Sequence, residues 1–93
     1  MRETNDPDGR RIVLVEERWH HVVERHADLT ERLEAILAAV RTPDARMPGY
    51  EEGEHWFFRR VSGRLPWLQV VVHYERNEGW ITTAFRRKTL PSR

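Results

Sequence analysis

The chain has no cysteine, and only one of its sixteen basic residues is lysine. Without thiols it cannot build a disulfide framework, a thiolate zinc site or a cysteine nucleophile, and it suits a reducing, cytoplasmic setting. Long apolar runs are also missing, so no segment is expected to span a membrane. The N-terminal MRETNDPDGRR has no apolar signal core. Acids are scarce in the second half. Residues 1–54 hold thirteen acids against eight bases, a net −5, whereas residues 55–93 hold two acids against eight bases, a net +6. The overall charge of +1 thus conceals a cationic C-terminal half. That half suits either an anionic partner such as nucleic acid or neutralisation against the acidic half within the fold.

At 93 residues, 39% hydrophobic and 33% charged, the chain is expected to form one small globular domain with a thin core. Residues 1–10 are polar and carry Pro7 and Asp8-Gly9, so they read as a flexible tail or turn ahead of a domain over 11–90. Ile12–Val15 is a short β-branched run, a strand or extended lead-in. The period then changes: Trp19, Val22, Val23 and His26 recur at i, i+3, i+4 and i+7, one face of a helix whose first turn carries Glu16 and Glu17. Asp28-Leu29-Thr30-Glu31 has capping-box spacing and predicts a second helix from Asp28, striped by Leu29, Leu33, Ile36, Leu37 and Val40. Pro43 ends it. Met47-Pro48-Gly49-Tyr50 reads as a turn, and strands follow at 55–61, 66–74 and 80–87, separated by short turns. The expected fold class is α+β: two N-terminal helices on a three- to four-stranded antiparallel sheet.

Three of the five histidines fall in RWHHVVERHADL, residues 18–29. Helical zinc pairs need ligands on one face, commonly i and i+4. His21 and His26 are about 140° apart around a helix, and His20 and His26 about 120° apart the other way. Neither pair converges, so a metal site would need His55 or His73 from the sheet. His26 completes the apolar face and reads either as a half-buried helix-end residue or as an imidazole aimed into a helix–sheet groove. His21 projects from the other side and His20 from the flank. Arg59, Arg60, Arg86 and Arg87 lie within strands beside aromatics such as Trp56 and Phe58. Such arginines suit a phosphate and a stacked base, or simply snorkel on a sheet surface. Three tryptophans, Trp56, Trp67 and Trp80, are more than a thin core absorbs, so at least one is expected to be exposed.

The order of elements resembles the small ribonucleases of the barnase–EndoU–colicin–RelE superfamily, in its compact phage- and toxin-associated branch. The resemblance runs from about Trp19 to Phe85 and rests on Arg25-His26, the aromatic–Arg strand at 56–60, the LQVVV strand and Thr83-Ala84-Phe85. It implies cleavage of RNA by attack of its own 2′-OH, without metal or other cofactor, in an enzyme of a toxin–antitoxin or phage-related system. It further implies His26 as base or acid, Arg59 or Arg60 on the phosphate, Thr83 as a positioning hydroxyl and His21 as a weaker catalytic candidate. Arg60, Arg86, Trp56 and Tyr74 become substrate-binding candidates. RNA is the implied partner, with an antitoxin or immunity protein as a further one. The competing expectation is a non-catalytic α+β module that binds protein or RNA through its sheet.

Overall fold

A computed structural model describes residues 1–92. The elements run β1 (Arg2–Asn5), β2 (Arg11–Leu14), α1 (Glu16–Arg25), α2 (Leu33–Arg41), β3 (Ala45–Pro48), β4 (Glu54–Arg60), β5 (Trp67–Glu75) and β6 (Glu78–Arg87). A single 3-10 turn, Ala27–Leu29, joins the helices. All six strands share one sheet, in the order β1-β2-β6-β5-β4-β3.

The expected three- to four-stranded antiparallel sheet is therefore corrected to a six-stranded mixed one. The short turns do produce an antiparallel meander from β3 to β6. However, β2 docks parallel onto β6, residues 11–13 against 78–80, and β1 adds antiparallel outside it. Residues 1–10, read as a tail, hold this outer strand and the turn after it. Their polar composition hides the strand because only Thr4 of its residues is buried, and because Asp6 is buried in a hydrogen-bonded turn. Residues 45–48 likewise form β3 where a turn from Met47 was expected; Pro48 ends that edge strand, where a missing N–H costs no ladder bond.

The start of α2 is also corrected, from Asp28 to Leu33. His26 leaves helical geometry at φ −136° and ψ 75°, and the Thr30 hydroxyl bonds back to the Ala27 carbonyl. Asp28 caps nothing; its carboxylate turns instead toward Arg86, at 3.4 Å. At the other end of α2, the Arg59 guanidinium donates to the carbonyl and hydroxyl of Thr42 at 2.6 and 2.7 Å, meeting an acceptor the helix leaves open.

One face of the sheet carries the main core. Ile12, Leu14, Phe57, Leu68, Val70, Val72, Ile81 and Ala84 pack there against Val22, Leu29, Ile36, Leu37 and Val40. The outer face, away from the helices, has its own cross-strand rows: Arg60–Trp67–Arg87, Phe58–Gln69–Phe85 and Trp56–Val71–Thr83. A bulge at Thr82 sets the register between the last of these rows and Ile81–Val72. Where β2 stops, α1 borders β6. Arg18 donates to the Thr82 carbonyl through Nε and Nη2, at 3.2 and 2.8 Å, which meets an edge acceptor at the bulge.

Candidate functional site

The end of α1 places His26 against the last residues of β6. Its ring lies 5.9 Å from that of Phe85, tilted by 35°. The imidazole makes no hydrogen bond with any described residue, so both ring nitrogens are open to a ligand or water. Beside it lies a cleft of about 480 Å³, walled by His26, Asp28, Arg32, Arg64 and Arg86 and by the turn at 62–65. Three guanidiniums against one carboxylate make this a cationic pocket.

Arg86 is its most constrained member. It points to the helix side of β6 because its cross-strand partner is the buried Leu68. Nε donates to the Leu65 carbonyl at 3.0 Å and Nη2 to the Ser62 carbonyl at 3.2 Å, while Nη1 meets Asp28. Each Nη keeps a second hydrogen for an incoming anion. The turn closes over this guanidinium through Gly63, whose φ is +114°. A Cβ there would sit 2.5 Å from Nη2 of Arg86, so both the backbone conformation and the close approach call for glycine.

Of the candidates named from sequence, His26 and Arg86 meet in this cleft. The others lie elsewhere. His21 is half-buried on α1, on the side of Arg18 away from Val22. Thr83 lies on the outer face, opposite Val71, two residues before Phe85. Arg59 is at the C-terminus of α2 and Arg60 on the outer face, over the Trp67 ring at 5.3 Å. Trp56 is buried, 6% exposed, and donates from its indole to Glu54 at 2.6 Å. Trp67 and Trp80 are half-buried, so of the three strand tryptophans only Trp56 is taken wholly into the fold. Arg32, Arg64 and Asp28 were missed, because their cleft exists only once the 62–65 turn folds against the helix junction. The run Ser62-Gly63-Arg64 after a strand with paired arginines was the one signal available.

Tyr74 belongs to a different cluster at the far end of the same face. Its hydroxyl donates to Oδ2 of the fully buried Asp6 carboxylate at 2.6 Å. The other oxygen, Oδ1, accepts the backbone N–H groups of Asp8 and Arg10. Arg10 adds an ion pair at 3.1 Å, and Arg46 approaches to 3.8 Å. Burial pushes the Asp6 carboxyl up, but the Tyr74 hydroxyl, the backbone donors and Arg10 together hold it below its usual value. The Tyr74 phenol is raised by burial and by Asp6. His55, edge-on to Tyr74 at 5.3 Å, is lowered by burial and by Arg46 and Arg10.

Among the described residues no group of three or more histidine, aspartate and glutamate side chains is placed to hold a metal ion. Nor is any helix long and apolar enough to cross a membrane. Compared with known proteins, the chain matches no family model, no curated sequence and no solved structure.

Proposed function

We propose that the His26 cleft is the active site of an endoribonuclease that uses the 2′-OH of its substrate as nucleophile. The observation that carries this reading is an imidazole with no hydrogen-bond partner among the described residues, opening on a pocket walled by three arginines. Strand cleavage by this route needs proton transfer at two oxygens and a cation on the phosphorane. The 2′-oxygen loses its proton and bonds to phosphorus, and the 5′-oxygen leaves with a proton. A 2′,3′-cyclic phosphate remains. His26 serves one of these transfers, and Asp28, the only carboxylate among the described residues that line the cleft, serves the other. Arg86 is held rigidly enough to receive the phosphate, while Arg32 and Arg64 draw the polyanion in.

The test is incubation of the pure protein with total RNA and short fluorescent oligoribonucleotides in EDTA, beside His26→Ala. Cleavage by the wild type alone, with cyclic phosphate ends, supports the proposal. Absence of cleavage with a less stable variant makes His26 structural. A toxin role adds that the wild type impairs its expression host and His26→Ala does not. The competing reading, a non-catalytic binding module, is favoured by the arginine–tryptophan row on the outer face.

A further inference from the structure

The outer face carries charge that the fold does not neutralise. Arg60 and Arg87 flank Trp67 as its cross-strand partners on β4 and β6. Neither guanidinium forms an ion pair with a described carboxylate. Arg60 is exposed and lies over the indole. Arg87 is half-buried and spends Nη1 on the amide oxygen of Gln69 at 2.8 Å, while its Nε is buried with no acceptor. A half-buried cation with no counter-charge among the described residues calls for an explanation, and an anion bound at Nη2, which no internal hydrogen bond uses, supplies one.

The row also adjoins the His26 cleft, since Arg87 follows the cleft residue Arg86 in β6. Phe85 stands in the outer-face register, opposite Gln69, yet its ring touches that of His26. It therefore marks where the outer face turns over the edge of β6 into the cleft. Arg86 and Arg87, adjacent in sequence, point to opposite sides of that turn.

We infer that this end of the outer face is a subsite for single-stranded RNA. The strand leaves the cleft over Phe85, lays a base on the Arg60–Trp67 pair and sets a phosphate against Arg87. The inference rests on the nuclease reading for the direction of the strand, and on the outer face alone for the binding. Charge selects a polyanion, and the planar guanidinium–indole pair selects one that carries unpaired bases.

The probe is a fluorescein-labelled 2′-O-methyl oligoribonucleotide of about ten nucleotides, within the span of common single-strand sites. It lacks the nucleophile and cannot be cleaved. Anisotropy titrations across a range of salt should show Arg87→Gln weakening binding about tenfold and flattening the slope of log K against log salt by about 0.7, one phosphate contact. Arg60→Gln should weaken binding severalfold, roughly as loss of a stacking partner does, with less change in slope. It sits at an exposed position and keeps the test valid if Arg87→Gln does not fold. Wild-type affinity and slope in Arg60→Gln and in any folded Arg87→Gln overturn the inference. So does absence of probe binding, or competition by poly-glutamate equal to that by unlabelled oligonucleotide. Cleavage by the wild type is read separately. Variant-sensitive binding without cleavage keeps the subsite and drops the nuclease; cleavage with unaltered binding in the variants does the reverse.

Discussion

Two polar clusters sit at opposite ends of the helix-covered face of the sheet, and they are built on contrary principles. At the Asp6 end the acid is fully buried and accepts hydrogen bonds from Tyr74, Arg10 and two backbone amides. Charges are matched there, and of the two described side-chain atoms left buried without a partner, only the Thr4 hydroxyl lies at this end. At the Arg86 end three arginines face a single aspartate, and the His26 imidazole has no hydrogen-bond partner among the described residues. The first cluster joins the β1–β2 hairpin to β3 and β5, a covalently distant union that needs strong polar contacts. The second lines an open cleft with more positive than negative charge, which adds less to stability than matched pairs do and more to the capacity to bind an anion. Both are rich in arginine and aromatic residues. Partner accounting, not composition, separates a lock from a site.

The contrast breaks most sharply on a pair of alanine substitutions. His26→Ala should lower the cleavage rate by roughly 10²- to 10⁴-fold, the usual worth of a general acid or base, and shift unfolding free energy by less than about 1 kcal/mol. Asp6→Ala should do the opposite, costing about 2–3 kcal/mol in urea titration because it leaves Tyr74 and the backbone donors without their acceptor. The folded fraction should cleave normally. Equal stability losses in the two variants would erase the distinction between the two ends.

Arg86 sharpens the comparison because it belongs to both worlds. It faces the cleft and also ties the 62–65 turn to β6. Arg86→Gln should cost roughly a hundredfold in cleavage, as loss of a charge-stabilising donor does, together with about 1–2 kcal/mol for the orphaned carbonyls. Gly63→Ala should imitate it more weakly by displacing Nη2. Tyr74→Phe is smaller again: about 1–2 kcal/mol of stability and no change in cleavage. Kinetics and urea titration on the same preparations check all three.

How far these features were legible follows from which signals are local. The meander from β4 to β6 shows in alternation and turn residues, and α1 in the spacing of Trp19 and Val22. The parallel pairing of β2 with β6 joins residues far apart in sequence and leaves no local trace. β1 buries a single residue, Thr4, too little for a pattern. At the site, periodicity aimed His26 at the sheet, and the strand arginines pointed to Arg86. The same reasoning misplaced Arg59 and Tyr74, because residue type and strand membership do not tell which end of a face a side chain occupies. Arg59 serves the end of α2, and Tyr74 lies six residues along β5 from Leu68, roughly 20 Å away. Arg32 and Arg64 sit in polar junctions, and only the closing of the 62–65 turn makes them neighbours of His26.

The subtlest difference between the two ends should appear as a pH dependence of stability that belongs to the Asp6 end. His55 has a lowered pKa in the folded chain. Its contribution is therefore present above its unfolded value, near 6.5, and fades as pH falls through the folded value. Asp6 is lowered as well, so its contribution is present above about 3.9 and is lost as pH falls further. Tyr74 is raised, so its contribution holds below about 10 and is lost as pH rises toward the folded value. Urea titrations across pH should thus show one decline beginning near 6.5, a further one below 4, and a separate alkaline decline above 10. Tyr74→Phe removes the alkaline limb outright. By taking a donor from Asp6 it also lets that carboxyl rise toward its ordinary value, which shrinks the part of the acid limb that Asp6 contributes. His26→Ala should leave the acid limb below 4 and the alkaline limb in place. An alkaline limb that survives Tyr74→Phe would mean that the Asp6 end does not govern stability as its hydrogen bonds require.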